Sequence, residues 1–353
     1  MAVFSVNNFE LKAIAACVPE TEYCNLDYDL IPLKERETLI KMTGVERRRV
    51  AKFGITTSDL CQQAAEKLFA ETGWDRSSID ILIFVSQSRD FMIPCTSVIL
   101  QDKLGLPKTT LAMDIPLGCS GFIYGMSVMG SLLSTGSLKR GILMSGDIST
   151  VNCSFEDKST YPLFGDAGAV AFLEHNPNAS PVHFNLQSDG SGWEAISIPD
   201  GGMRNSASKE SFDYRDIEEG VRRNKIQLTL NGIEVFNFSL REVAPNINTL
   251  LAANSLSLEN LDYIILHQAN LLMNESIRKK LKLPKEKVPY TLQKYGNTSS
   301  ASIPLTIISE LKNEISSKDL SLLLCGFGVG LSWGTAILKT SKVICPGIID
   351  YKE

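Results

Sequence analysis

The sequence is poor in histidine and lacks both paired-cysteine motifs and long apolar runs. It holds three histidines, and none of its eight cysteines forms a C-x-x-C pair. A zinc site is therefore not expected, and neither is a disulfide framework in a chain of this size. No run of about eighteen apolar residues is present, so the sequence predicts no membrane-spanning helix.

Basic residues are not in excess either. Lysine and arginine number 35 against 40 aspartates and glutamates, which gives a formal net charge of −5 and argues against a nucleic-acid-binding protein. The stretch Met1–Glu10 has no charged segment followed by an apolar one, so no secretory signal is expected. The composition predicts a reduced, cytoplasmic globular protein that needs no metal or cofactor.

Helix-like and strand-like patterns alternate along the chain, which is typical of an α/β fold with buried sheets. The predicted helices are Thr57–Glu71, Thr96–Leu104, Phe122–Ser134, Val235–Ala253, Asn274–Leu281 and Ala301–Asn313. The predicted strands are Ile79–Val85, Thr110–Ile115, Gly141–Ser145, one after the turn at Gly165, Leu261–Leu266, Val288–Tyr290, Leu320–Cys325 and Leu331–Leu338. Element order repeats, so we expect two duplicated halves, residues 1–175 and 176–353. Ser188–Lys225, rich in Gly, Ser, Asp and Arg, is predicted to be a long surface loop.

Cys119 is the strongest candidate for covalent chemistry. It lies in Asp114–Phe122, between a predicted strand and a predicted helix. Unpaired N–H groups and the positive end of the helix dipole favour a thiolate at such a corner. A thiolate is a good nucleophile near neutral pH, so the sequence predicts a nucleophilic cysteine here.

Two further polar residues follow predicted strands or precede helices in the second half. His267 comes directly after Tyr263–Leu266, and Asn297 precedes the helix that starts near Ala301. Cys, His and Asn could form a cysteine-protease set, or an acyl-thioester site in which His and Asn donate hydrogen bonds to an enolate. The glycine-rich segment Gly326–Gly330 is predicted to be a tight hairpin whose backbone N–H could contribute to an oxyanion hole.

These segments together resemble the β-ketoacyl-acyl-carrier-protein synthase III family of the thiolase superfamily. The matching segments are Asp114–Phe122, Gly165–Val170, Asp189–Gly192, Pro199–Gly202, Asn231–Phe236, His267–Asn270, Gly296–Ser302 and Gly328–Gly334. The resemblance implies a five-layered αβαβα thiolase-like fold of two duplicated halves, and a homodimer.

The resemblance also implies the roles of individual residues. Cys119 accepts an acyl group from a thioester, and His267 and Asn297 stabilise the enolate formed when malonyl-acyl-carrier protein decarboxylates. The backbone N–H groups of Cys119 and Val329 form the oxyanion hole. The family's substrate-binding positions fall on Asn270, Gly232, Phe236 and Lys158.

The chain departs from the family at the primer and carrier-protein contacts. Thr38 and Met42 stand where enzymes that use acetyl-CoA carry a Trp and an Arg around the adenine. We therefore expect acetyl-CoA not to be the preferred primer, with an acyl-carrier protein or another thioester as donor. The basic run that includes Lys279 and Lys280 is a candidate docking patch for the acidic carrier protein, although Leu272 replaces a docking Arg.

Three other functions compete with condensation. A thiolase would use a second cysteine as base, and Cys325 is the candidate. An acyltransferase would move the acyl group from Cys119 to a sugar, amine or hydroxyl without releasing carbon dioxide. A catalytically silent partner subunit is disfavoured by the intact Cys, His and Asn set.

Overall fold

The computed structural model describes residues 2–352, which form alternating helices and strands. The helices are α1 Leu33–Thr43, α2 Thr57–Thr72, α3 Thr96–Lys103, α4 Gly121–Ser134, α5 Gly232–Ala253, α6 Leu271–Lys280, α7 Leu292–Tyr295 and α8 Ser302–Ser317. The strands of the first half are β1 Ala2–Val6, β2 Phe9–Val18, β3 Glu22–Cys24, β4 Arg47–Arg49, β5 Ile81–Val85, β6 Leu111–Ile115, β7 Arg140–Asp147 and β8 Ala167–His175. Those of the second half are β9 Val182–Ser188, β10 Ile196–Ser197, β11 Arg215–Glu218, β12 Val221–Arg223, β13 Thr229–Leu230, β14 Tyr263–Leu266, β15 Leu320–Gly328, β16 Ser332–Thr340 and β17 Ile344–Asp350.

Two large sheets organise the molecule. The first has six strands in the order β17-β2-β8-β7-β5-β6, and the second has five in the order β1-β9-β16-β15-β14. In the first sheet β7, β5 and β6 run parallel, while β8 is antiparallel to both of its neighbours, β2 and β7. The second sheet repeats this ladder, with β14 parallel to β15 and β16 antiparallel to both β15 and β9.

Each sheet borrows a strand from the other end of the chain. Strand β1 pairs with β9 in the second sheet, and β17 pairs with β2 in the first. Strand pairing therefore crosses the predicted boundary at residue 175 twice, and that boundary stays a prediction.

Helices form three layers around the two sheets. Helices α4 and α8 contact strands of both sheets and fill the middle layer, whose core is a continuous apolar cluster. Helices α2 and α3 cover the outer face of the first sheet, and α5, with α6 packed beside it, covers the second. This is the five-layered αβαβα arrangement of duplicated halves that was predicted, and the prediction is confirmed.

Two local predictions differ from the structure. Val288–Tyr290 is not a strand: it follows a 3-10 turn at Lys285–Lys287, and Val288 and Tyr290 pack into the core of the second half without pairing with a described strand. The segment Ser188–Lys225 is less irregular than expected, since it carries β10, β11 and β12 in two-stranded pairs. Across residues 2–352, no helix combines the length and apolar character needed to cross a bilayer.

Candidate active site

Cys119 lies in the short corner between β6 and α4, two residues before the helix begins. The thiol is buried, with 8 % of the residue exposed. The glycines of the β15–β16 turn pack directly against it: a Cβ added at Gly328 would lie 2.7 Å from both Cβ and Sγ of Cys119. Glycine at this position is therefore needed for the strand to approach the nucleophile.

Burial works against the thiolate predicted at Cys119, and the thiolate stays a prediction. Burial raises the pKa of the Cys119 thiol to about 11, and hydrogen bonds from the Val329 and Cys119 N–H groups offset only part of this effect. The nearby carboxylate of Asp147 raises the pKa further. Burial therefore favours the thiol form of Cys119 and opposes the effect expected from the helix terminus.

His267 follows β14 and is buried, with 1 % of the residue exposed. Its Nδ1 lies 2.7 Å from the Ser302 hydroxyl, which also accepts the Gln268 backbone N–H at 3.4 Å. The Ser302 hydroxyl can donate to Nδ1, and in that tautomer the imidazole proton is on Nε2. Burial lowers the pKa of His267 to about 3, so the ring is a neutral hydrogen-bond donor.

Asn297 lies on the loop between α7 and α8 and is 5 % exposed. Its backbone is held on both sides, since its N–H donates to the Leu163 carbonyl and its carbonyl accepts from Gly165, both at 3.0 Å. The side-chain oxygen accepts the Ser299 N–H at 2.9 Å. The amide NH2 group is thereby left as the donor, and it donates to the Ala269 carbonyl at 3.5 Å.

Ser299 connects the three predicted catalytic residues. Its N–H donates to the Asn297 side chain, and its carbonyl interacts with the His267 ring. Its hydroxyl lowers the pKa of both Cys119 and Asp147 by hydrogen bonding. The backbone reaches all of these positions with a left-handed φ of 51°. A non-glycine residue adopts this conformation only when its surroundings fix it, and here those surroundings are the site itself. Sequence reasoning missed Ser299, although it lies two residues beyond Asn297.

A single cavity of about 350 Å³ joins most of the predicted site residues. Its lining includes Cys119, His267, Asn297, Val329, Asn270 and Gly232. Asn270 also caps α6, because its side-chain oxygen accepts the Met273 N–H at 2.8 Å. Phe236 packs against the core of the second half and lies outside the lining. Lys158, Lys279 and Lys280 lie outside it as well.

Sequence reasoning also missed Asp147, a buried acid at the end of β7 that lines the cavity. Its Oδ1 accepts the Gln87 N–H at 2.7 Å and the Ser86 hydroxyl at 3.0 Å, and its Oδ2 accepts the Ser300 hydroxyl at 3.3 Å. Burial raises the pKa of this carboxyl group, and these hydrogen bonds oppose the shift. The signal was present, because Asp147 ends a buried strand just as His267 follows one.

Cys325, the candidate second cysteine of a thiolase, is not placed to act as a base. It is fully buried within β15, and its sulfur accepts a hydrogen bond from the Thr335 hydroxyl at 3.3 Å. Burial raises the pKa of Cys325 to about 12. Its side chain belongs to the core of the second half.

Comparison with known proteins agrees with the fold and the cavity. The family described as 3-oxoacyl-[acyl-carrier-protein] synthase III matches residues 113–190, and its C-terminal part matches residues 251–340. The β-ketoacyl-[acyl-carrier-protein] synthase III of Staphylococcus saprophyticus is 34 % identical over 94 % of this chain and 99 % of its own. The Clostridioides difficile enzyme of the same name is 31 % identical over 93 % of this chain and 97 % of its own. A crystal structure of a 3-oxoacyl-(acyl-carrier protein) synthase from Burkholderia xenovorans superimposes with a TM-score of 0.93, at 36 % identity and 99 % coverage of both chains.

Fold and site together define a condensing enzyme with the thiolase-like fold. Within that class, the chain belongs to the β-ketoacyl-acyl-carrier-protein synthase III family.

Proposed function

We propose that this enzyme joins an acyl group to the two-carbon unit of malonyl-acyl-carrier protein and releases a 3-oxoacyl-acyl-carrier protein. The observation that carries the proposal is the cavity, which brings a thiol, two neutral hydrogen-bond donors and a pair of backbone N–H groups together. A thioester carbonyl and an enolate need these groups and no metal.

The first half-reaction loads Cys119. Its sulfur attacks the carbonyl carbon of an acyl thioester, and the carbonyl oxygen becomes an oxyanion held by the N–H groups of Cys119 and Val329. Hydrogen bonding from both N–H groups lowers the pKa of the Cys119 thiol, which supports this role. Collapse forms the acyl-Cys119 thioester and breaks the donor's C–S bond. The thiol proton leaves with the departing donor thiol, so His267 need not store it.

The second half-reaction forms the carbon–carbon bond. Malonyl-acyl-carrier protein loses its carboxylate as carbon dioxide, and the electron pair left behind forms an enolate. His267 Nε2–H and the Asn297 amide donate to the enolate oxygen. The enolate carbon then attacks the acyl-Cys119 carbonyl, and the expelled Cys119 thiolate takes up one proton from solvent. Neutral donors suit this step, because the enolate forms without any group having to accept a proton.

Transfer of the acyl group to a sugar, amine or hydroxyl is not favoured. Such an acceptor must lose a proton as it attacks, and a general base works best with a pKa near the operating pH. Burial holds the pKa of His267 at about 3, far too low for that task.

The direct test is to incubate the protein with an acyl thioester and malonyl-acyl-carrier protein and to measure carbon dioxide together with the condensed product. We expect both in equal amounts. In the Cys119→Ala variant, intact-mass spectrometry should show no acyl adduct. Acylation of that variant, or acyl transfer by the native protein without carbon dioxide release, would overturn the proposal.

The donor is proposed to be a thioester other than acetyl-CoA. Lys158, the one basic side chain at the family's CoA positions in this chain, is paired with Glu35 at 2.9 Å. Glu218 and Glu219 add to the negative field that raises the pKa of Lys158. A phosphate group would have to compete with these carboxylates, so this surface is a poor one for CoA.

Initial rates of Cys119 acylation with acetyl-CoA and with acetyl-acyl-carrier protein test the choice of donor. We expect the carrier-bound donor to be faster, and efficient use of acetyl-CoA would contradict this part of the proposal.

The proposed carrier-protein contact is the end of α6. Lys279 and Lys280 are exposed there, and Lys280 Nζ donates to the Leu240 carbonyl at 2.6 Å. Arg278 is paired with Glu275 at 2.8 Å. An acidic carrier protein would be attracted to the two lysines, chiefly through its association rate.

A homodimer is also proposed. Strand β6 lies at the edge of the six-stranded sheet, reads Leu-Ala-Met-Asp-Ile, and is only partly buried. An unprotected apolar edge of this kind is suited to pairing with another strand. Since the nucleophile follows β6 by four residues, such a dimer would place a second copy beside each active site.

All eight cysteines are free, which supports the cytoplasm as the proposed compartment.

A further inference from the structure

Three neutral polar side chains in the cavity take no part in the reaction described above. Gln87, Ser149 and Asn152 line the cavity together with Cys119. Gln87 follows β5, while Ser149 and Asn152 lie on the 3-10 turn after β7. Because β7, β5 and β6 are adjacent and parallel, all four residues lie where the carboxyl ends of these strands meet. We call the surface formed by Gln87, Ser149 and Asn152 the polar wall.

The polar wall has unused hydrogen-bonding capacity. Within residues 2–352 the side chains of its three members make no hydrogen bond to protein groups, and Ser149 occupies the N-cap of its turn without capping it. Ser149 and Asn152 are half-buried and Gln87 is exposed, so these groups are open to a ligand that enters the cavity. The backbone of Asn152 is fixed by bonds to the Ser149 carbonyl at 3.1 Å and the Leu228 N–H at 2.8 Å, which leaves its amide free. By contrast, the neighbouring Ser88 hydroxyl is hydrogen-bonded to the Thr57 hydroxyl at 2.7 Å.

The opposite side of the cavity is different in character. It is built by the second half and is largely apolar, with Ile196, Leu230, Val235 and Met273 among its members. His267 and Asn297 also belong to this side, so the malonyl thioester has to approach along it. On the side of the first half, an acyl chain on Cys119 has the polar wall together with Leu163 and Phe164 in the same cavity.

We propose that the acyl group carried by Cys119 is a short hydroxyacyl group, whose hydroxyl is bound by Gln87, Ser149 and Asn152. A hydroxyl both donates and accepts, as do the two amides and the serine. A carboxylate substituent is disfavoured, because the cavity lining within the described chain contains Asp147 and no lysine or arginine. This inference rests on the proposed function, since it assigns the acyl group that Cys119 receives.

The test compares two donors that differ by one oxygen atom. The protein is incubated with butanoyl-pantetheine or 3-hydroxybutanoyl-pantetheine, and formation of acyl-Cys119 is followed by intact-mass spectrometry. We expect the hydroxylated donor to acylate about tenfold faster, since a site with unpaired polar groups penalises a ligand that cannot bond to them. Equal rates, or a faster butanoyl donor, would overturn the inference. Acylation by neither donor would instead count against the proposed function.

Variants of the polar wall distinguish recognition of the donor's hydroxyl group from a general loss of activity. Asn152→Leu should reverse the preference, so that butanoyl-pantetheine becomes the faster donor, and Ser149→Ala should reduce the preference several-fold. Val151→Ala is the matched control, because Val151 lies on the same turn but is 66 % exposed and outside the cavity lining. If Asn152→Leu does not fold, the Ser149→Ala comparison decides. An unchanged donor ratio in both wall variants would contradict the role of the polar wall.

Discussion

At the scale of single residues, the site keeps its nucleophile and its histidine uncharged. Cys119 is a thiol with its pKa raised to about 11, and His267 an imidazole with its pKa lowered to about 3. Both shifts are caused mainly by burial. Burial therefore disfavours a Cys–His ion pair of the kind found in cysteine proteases.

The raised pKa of Cys119 has a measurable consequence for alkylation. Because only the thiolate reacts, the rate of modification by iodoacetamide should rise about tenfold per pH unit from pH 7 to 10. The exposed Cys95 in the same protein serves as the internal control for access of the reagent. Site-resolved mass spectrometry measures both. A plateau for Cys119 at or below pH 8 would show that the helix terminus does dominate.

His267→Ala should separate the two half-reactions. Loading of Cys119 relies on the backbone N–H groups and should persist within a few-fold of the native rate. Decarboxylation loses one of two enolate donors and should slow by about 10²–10³, the range found for removing a single oxyanion donor. The readouts are acyl-enzyme mass and carbon dioxide release on the same sample. Normal release of carbon dioxide would contradict the role assigned to His267.

At the scale of elements, the turn between β15 and β16 positions the nucleophile as much as α4 does. Gly328 and Gly326 bring the backbone against Cys119 and Ser120, and an added Cβ at Gly326 would lie 2.8 Å from the Cys119 carbonyl oxygen. This close approach also delivers the Val329 N–H to the sulfur.

Gly328→Ala should abolish loading without unfolding the protein. The new methyl group would lie 2.7 Å from Sγ of Cys119 and force the thiol or the turn aside. Acylation should fall by at least about 10², since displacement of reacting groups by 1 Å costs that much. Gly190→Ala is the control, because an added Cβ there meets nothing within 4 Å. If Gly328→Ala were acylated at Cys119 as fast as the native protein, the backbone would be able to move away from the added methyl group, and the prediction would be wrong.

Charge reversal at the end of α6 tests carrier docking. The double variant Lys279→Glu with Lys280→Glu should raise KM for malonyl-acyl-carrier protein several-fold and leave kcat nearly unchanged, with the effect shrinking at high salt. The double variant Lys67→Glu with Lys103→Glu carries the same charge change on α2 and α3, at the far side of the first sheet. An unchanged KM in the α6 variant would exclude docking at these lysines.

The elements that sequence reasoning recovered are those with strong periodicity. Strands such as β5 and β15 and helices such as α2 and α8 follow their apolar patterns to within a few residues. Val288 was misread because a single buried apolar residue after a turn resembles the start of a strand. The family's glycines and strand ends located Cys119, His267 and Asn297. The unpaired side chains of Ser149 and Asn152 could not be foreseen, because unused hydrogen-bonding capacity is a property of three-dimensional surroundings.

At the scale of the whole molecule, the first sheet ends in an exposed apolar edge. Leu111 at the start of β6 is 37 % exposed, and the loop before α3 adds Phe91, Met92 and Ile93 with 58, 56 and 86 % of each exposed. Apolar surface gathered in this way marks an interaction site rather than an ordinary exposed surface.

Leu111→Lys should dissociate the proposed dimer. A charge on the edge strand opposes pairing with a second copy, and in a symmetric dimer the two lysines would also repel one another. Sedimentation velocity should show the native protein at twice the chain mass of 38.8 kDa and the variant at the chain mass. Phe53→Lys, at a fully exposed apolar residue elsewhere, should leave assembly unchanged. A native protein that sediments as a monomer would refute the dimer.

The strand exchange between the two sheets has a consequence for biosynthesis. The first sheet is completed by β17, and the second takes its edge strand β1 from the opposite end of the chain. A ribosome therefore releases β17, the second partner of β2 beside β8, only after almost everything else has emerged. Until β17 emerges, the nascent first half exposes the unpaired edge of β2, to which a chaperone can bind. Cutting the chain between the halves should accordingly leave two fragments that fold only in each other's presence.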